Sequence, residues 1–268
     1  RTTRLEQEIV LGIGGVRALA AVGVKPTVWH INEGHAAFMI VERIRGAMAQ
    51  GPDFSTALEA VAASTVFTTH TAVPAGHDQF AEDVIRTYFE GLCRESGMTP
   101  EQLLELGRIP GSHEFNMTAL AVRGSRHHNG VSRIHGGVSS HMLEALWPQV
   151  PPEENPVDHV TNAVHVPSFL APEWVDVFDR TLGPDWAQHL ADARTWERLA
   201  EMPDHIFWSV RQHLKAQFLH LARWRIREQH FRNQGSEAHL DRMLKWADPA
   251  NPNVLTLGFA RRFATYKR

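Results

Sequence analysis

The chain has 268 residues, 43% of them apolar, with a net charge of −3 when histidine is neutral and a pI of about 6.7. That is enough chain for one large α/β unit or two smaller ones, and it gives no electrostatic reason to expect nucleic acid or an anionic membrane as a partner. A single cysteine, Cys93, excludes an internal disulfide and a cysteine-ligated zinc site, and it suits a reducing, cytoplasmic compartment.

The first segment, RTTRLEQEIVLGIGG, lacks the pattern of a signal peptide, and no apolar run is long enough to cross a bilayer. The chain has no initiating methionine and stops at FATYKR, straight after a strand-like run. An internal piece of a longer protein, truncated at both ends, is the expectation. "PTVWHI" (26–31) reads as a buried strand, and Glu33 to Met48 as a helix with Ala37, Ile40, Val41, Ile44 and Met48 on one face. Thr56 with Glu59 predicts a capping box for a helix through Ala63. Val66–Thr69 reads as the next strand, and 78–95 as a helix with Tyr88 among its inward residues. Thr99, Pro100 and Gln102 open another helix, which Gly107 closes.

Residues 115–147 mix helix and strand signals, "QVPPEENP" (149–156) is a surface connection, and "PVDHVTNAVHVPSF" reads as a further strand. Beyond about residue 170 strands give way to helices. The clearest is 204–231, with Phe207, Val210, Leu214, Phe218 and Leu221 sharing a face. "NVLTLGFARR" (253–262) returns to strand. The expected organisation is therefore the end of one α/β domain over 1–165, a helical bridge over 166–250, and the first strand and turn of a second domain over 251–268.

Gly12, Gly14 and Gly15 with Glu33 suggest a dinucleotide loop, but Arg17 stands where the third glycine belongs, and small residues in a tightly packed helix explain the run as well. The seventeen histidines include no His-Glu-x-x-His and no His/Cys ladder, so no metal site is expected. No Gly-x-Ser-x-Gly elbow and no paired-carboxylate hydrolase site emerges.

Polar groups instead gather at strand ends. Asn32, Glu33 and His35 follow the first strand, His70 the second, and Thr161, Asn162 and His165 the third. Ligands of open parallel sheets bind outside the carboxyl ends of the strands, and amides, carboxylates and imidazoles suit the hydroxyls of a sugar. For any one cluster alone, a helix cap or turn closure is the better explanation. In "GFARRFATYKR", Arg261, Arg262, Tyr266, Lys267 and Arg268 form either an oxyanion grip or a solvated basic turn.

"WHINEGHAAF", "FTTHTAVPAGHDQF", "EFNMTALAVRGSRHHNGVSRIHG", "VTNAVHVPSFLAPEW" and "LTLGFARRFATYKR" occur in this order. Together they resemble the α-glucan (glycogen/maltodextrin) phosphorylases, most closely the shorter bacterial branch. The resemblance covers nearly the whole chain. It implies a GT-B-like α/β fold, in which this chain holds the later part of a Rossmann-like glucan-binding domain, the bridge, and the start of the cofactor and phosphate domain.

It also implies phosphorolysis of terminal α-1,4-linked glucose to glucose 1-phosphate with retention, the partners being glucan and inorganic phosphate. Pyridoxal phosphate would serve through its phosphate group, on a lysine expected downstream of this chain, so that the piece alone is expected to be inactive. By the same resemblance His70, Arg262 and Lys267 take catalytic roles, with His70 against the reacting glucose and the other two on phosphate. Glu33, His35, Asn162 and Tyr266 line the sugar site.

Departures from the family are Ala163 where glycine is usual after Thr-Asn, Glu33 where aspartate is commoner, and the Ser-Arg-His-His-Asn-Gly run. Two alternatives share these strand-end groups: a retaining GT-B glycosyltransferase using a nucleotide sugar, and a non-catalytic carbohydrate-binding protein.

Overall fold

The computed structural model describes residues 2–71, 73, 76–251 and 253–261, and the chain forms two compact units, Arg1–Ala163 and Val164–Arg268. The first unit begins α1 (Thr2–Ile9), α2 (Gly15–Ala21), β1 (Trp29–Asn32), α3 (Phe38–Met48), α4 (Phe54–Ala63) and β2 (Thr65–Thr68). It continues β3 (Gln79–Ala81), α5 (Glu82–Ser96), α6 (Pro100–Gly107), β4 (Glu114–Asn116), α7 (Met117–Arg123), β5 (His127–Gly130), α8 (Arg133–Met142) and β6 (Val157–His159). The second unit carries α9 (Val166–Phe169), α10 (Pro172–Thr181), α11 (Ala193–Glu197), α12 (Asp204–Arg232) and α13 (Glu237–Leu244).

The first unit is mixed α/β with a parallel sheet in the order β1-β2-β5-β6. Register places Ile31 beside Phe67, Phe67 beside His128, and His128 beside Val157. Ile31 and Phe67 are fully buried and join Phe38, Ile40, Ile44, Phe89, Leu103 and Phe115 in one core. Phe38 meets Phe89 with ring centroids 4.8 Å apart, which locks α3 against α5. A short antiparallel pair, β3 with β4, runs beside this core.

The glycine run is no nucleotide loop. Val10–Gly14 is a π-helical turn joining α1 to α2 ahead of β1. A Cβ on Gly12 would lie 2.8 Å from the Met39 amide nitrogen, so glycine is what allows this helix to press onto α3.

Several elements differ from expectation for local reasons. Asp53, not Thr56, caps α4, accepting from the Thr56 N–H at 2.8 Å. Residues 79–81 extend to pair with β4 before α5 starts, and Tyr88 on α5 lies at the surface, its hydroxyl donating to Glu6 at 2.7 Å. The Thr99–Gln102 capping box of α6 forms as expected.

The third strand of the sequence reading is short. Pairing stops at His159, and Thr161 and Asn162 lie beyond it. Described residues 253–261 form no strand, because no described strand offers them a ladder. In α12 the expected stripe is only partly covered: Val210 and Leu214 are half-buried and the Phe207 ring meets that of Trp174 at 5.3 Å, but Phe207, Phe218 and Leu221 are 44%, 55% and 54% exposed. The buried positions of α12 are Leu219 and His230, and Arg223 ties it to the end of α13 by donating to the Leu244 carbonyl at 3.0 Å.

Candidate functional site

Parallel strands all end on one edge of their sheet, so the loops after Asn32, Thr68, Gly130 and His159 emerge together. The loop after β1 opens with Glu33 at φ 65°, ψ 176°, a region that glycine adopts freely and a side chain occupies only under strain. Its amide still continues the ladder, donating to the Thr68 carbonyl at 2.9 Å. Its carboxylate crosses to the loop after β2 and accepts from the His70 N–H at 2.5 Å and from the Thr71 hydroxyl at 2.9 Å. The imidazole of His70 itself is exposed.

A second relay runs across the strand ends. The Thr68 hydroxyl donates to Asn129 Oδ1 at 2.9 Å and accepts from His30 Nε2 at 2.7 Å. The Thr69 N–H donates to the Asn129 carbonyl at 3.0 Å. The Asn162 N–H donates to the Val131 carbonyl at 3.1 Å, which ties the exposed Asn162 to the loop after β5. Ala163, in place of the family's glycine, needs no special backbone, since among described non-glycine residues only Glu33 and Gln234 have positive φ.

Two histidines that sequence reasoning passed over belong to this edge. His135, in the first turn of α8, accepts from the Val131 N–H through Nδ1 at 3.3 Å, which leaves its proton on Nε2. His77 packs its Nδ1 against the Thr118 hydroxyl at 2.6 Å. In both, the outer nitrogen is buried without a hydrogen-bond partner, as is the Thr69 hydroxyl. Burial lowers both imidazoles from the ordinary histidine value, and the charge of Glu33 pulls each back up. The signal available for His135 was its place three residues after Ser132, the α8 cap, immediately past a strand.

His35 does not join the Glu33–His70 pair. Its Nδ1 turns to Arg4, 2.5 Å away, within a cluster that includes Glu8 and Asp78. His165 belongs to the second unit and pairs with the Ser168 hydroxyl at 2.8 Å. His128 is a core group, bonded to the carbonyls of Val122 and Pro156 at 3.0 Å each. Arg262, Tyr266 and Lys267 lie outside the described residues.

The chain is 40% identical to a glycogen phosphorylase of Mycobacterium tuberculosis over 279 residues, covering 99% of this chain and 31% of that protein. It is 39% identical to a maltodextrin phosphorylase of Thermococcus litoralis over 269 residues, covering 99% of this chain and 30% of the other. A glycogen phosphorylase of Aquifex aeolicus matches at 31% identity over 267 residues, 38% of its own length. By descent, this chain is an α-glucan phosphorylase relative. No family profile matches it. The phosphorylase-related chain spans about a third of the length of the curated relatives it matches. Among its described residues no helix is long and apolar enough to cross a membrane.

Proposed function

We propose that the chain is the portion of an α-1,4-glucan phosphorylase that carries one wall of the sugar site, the helical bridge, and the start of a second domain, in a GT-B arrangement. The observation that carries this reading is the Glu33 clamp: a strained residue at the end of β1 holds the His70 amide at the end of β2, in a chain 40% identical to a glycogen phosphorylase. With its amide fixed, His70 presents both its carbonyl and its exposed imidazole to the terminal glucose. Asn162 supplies amide donors and an acceptor to a sugar hydroxyl.

Arg262 and Lys267 would grip inorganic phosphate, the guanidinium in a two-point fork and the ammonium as a compact charge. Phosphate so held neutralises the positive charge that develops as the glycosidic bond breaks, which lowers the barrier most where water is excluded. Tyr266 and His35 complete the sugar contacts in this reading.

Pyridoxal phosphate, which the resemblance implies, finds no fitting donor set at the described strand ends. They hold imidazoles, amides, hydroxyls and a carboxylate but no lysine that could carry it. The reading also places the enzyme in the cytoplasm. The nucleotide-sugar alternative is not favoured, since the Mycobacterium tuberculosis and Thermococcus litoralis relatives are named as phosphorylases. The test is to supply the full-length enzyme with maltoheptaose and phosphate, or with maltoheptaose and a nucleotide sugar. Release of glucose 1-phosphate in the first mixture and no chain extension in the second is the expected result, and the reverse overturns it.

A further inference from the structure

The loops that carry Glu33 and His70 are joined a second time, by a cluster in which only His35 is among the proposed sugar contacts. Arg4 and Glu8, one turn apart on α1, meet His35 from the turn after β1 and Asp78 from the end of the loop after β2. Arg4 Nη2 donates to Asp78 Oδ2 at 2.9 Å and to His35 Nδ1 at 2.5 Å, so His35 keeps its proton on Nε2. Arg4 Nε lies 2.9 Å from Glu8 Oε1, but its hydrogen is aimed at Asp78 Oδ2, 3.3 Å away. Glu8 is only 1% exposed, and neither of its oxygens accepts a formed hydrogen bond. His35 Nδ1 stands 3.6 Å from Glu8 and 3.4 Å from Asp78.

Two carboxylates this close, one of them sealed from water, cannot both ionise beside a single guanidinium without a large penalty. We propose that Glu8 and Asp78 form a carboxylic acid–carboxylate pair, clamped by Arg4, that positions His35 and the His70 loop for the reaction at the strand ends. Glu8 keeps the proton and donates it to Asp78; Asp78 stays ionised against Arg4. Burial pushes Glu8 up to about 8, and Asp78 adds to the rise while Arg4 opposes it. Burial pushes Asp78 up as well, but hydrogen bonds from Arg4 and Glu8 outweigh it and hold Asp78 below the usual carboxylate range. The groups facing Glu8 are thus Arg4 on its own helix, His35 from the turn and Asp78 from the loop. A divalent cation could find ligand atoms of Glu8, His35 and Asp78 within 4.8 Å of one another, but Arg4 already fills the cation's role.

Glu8 is therefore a positioning residue, and its activity readout rests on the phosphorylase reading. The test compares the full-length enzyme with Glu8→Gln and Glu8→Leu, by the pH profile of maltoheptaose phosphorolysis and by infrared difference spectra at neutral pH. In the wild type, kcat/KM falls as pH rises through about 8, where Glu8 ionises. Glu8→Gln keeps a donor toward Asp78, so it stays within about threefold of the wild type at neutral pH and loses that alkaline limb. Glu8→Leu keeps volume but no donor and drops kcat/KM about tenfold or more. The wild type shows a protonated-carboxyl carbonyl band that Glu8→Gln lacks. An unchanged alkaline limb in Glu8→Gln, or no such band, overturns the proposal. If no glucose 1-phosphate forms under any condition, the phosphorylase reading falls, and the infrared band alone decides the carboxyl pair.

Discussion

Glu33 Oε1 accepts the backbone N–H of His70 at 2.5 Å, a bond between residues 37 apart in sequence that joins the exits of two neighbouring parallel strands. It is charge-assisted, which makes it worth about twice a neutral hydrogen bond. The strained backbone of Glu33 is the local cost of aiming the carboxylate at that amide.

Replacing Glu33 separates the clamp from the charge. Glu33→Gln keeps an acceptor for His70 and Thr71 and lowers kcat/KM of the full-length enzyme modestly. Glu33→Ala frees both donors, and a lost charge-assisted bond of about 2 kcal/mol predicts a fall of roughly thirtyfold. Equal rates for the two variants in a glucose 1-phosphate assay would show that the clamp does not set the site.

Much of the frame was legible in the sequence, because period and punctuation are local. Thr99-Pro100-x-Gln102 fixes its own helix start, and the strand-end placement of Glu33 and His70 follows from where apolar runs stop. What was hidden depends on partners far along the chain. Residues 79–81 are a strand only because 114–116 lies beside them, and along one face of α12 Phe207 meets Trp174 of α10 while Phe218 stays 55% exposed. The helical spacing of α12 shows which residues share a face, but not whether anything packs there. His77 and His135 were missed for the same reason, since burial and the nearness of Glu33 mark them, not spacing.

Two glycines of neighbouring sequence should respond in opposite directions. A Cβ on Gly130 would sit 2.7 Å from both the Gly136 amide nitrogen and His135 Nδ1, so Gly130→Ala forces α8 away from β5 and costs about 1–3 kcal/mol. A Cβ on Gly137, within α8, would meet nothing within 4 Å, and Gly137→Ala should stabilise by about 0.5–1 kcal/mol through helix propensity. Urea denaturation midpoints of both variants give the comparison.

Asn116 is 5% exposed and caps α7 by accepting from the Thr118 and Ala119 amides at 2.9 and 3.0 Å. Asn116→Ala leaves both donors buried and unmet, for a loss of about 1–2 kcal/mol. A urea midpoint equal to the wild type's would mean that this cap contributes nothing to folding.

The raised value of Glu8 also has a consequence for stability, independent of activity. Its folded value lies near 8, above the ordinary 4.5 of the unfolded chain, so the unfolded state releases the proton first. The stability that Glu8 contributes is complete below about 4.5, declines as pH rises above it, and is gone once pH passes about 8. Glu8→Gln removes this dependence. Urea melts at several pH values should show the wild type losing stability relative to Glu8→Gln across that window, and parallel curves would contradict the assignment.

The most direct measurement is the rate of glucose 1-phosphate formation from maltoheptaose and phosphate by the full-length enzyme carrying His70→Ala. The account predicts a fall of about 100-fold or more in kcat with an unchanged urea midpoint, as for removal of a preorganised group at the reacting centre. A variant that phosphorolyses maltoheptaose at the wild-type rate would contradict it.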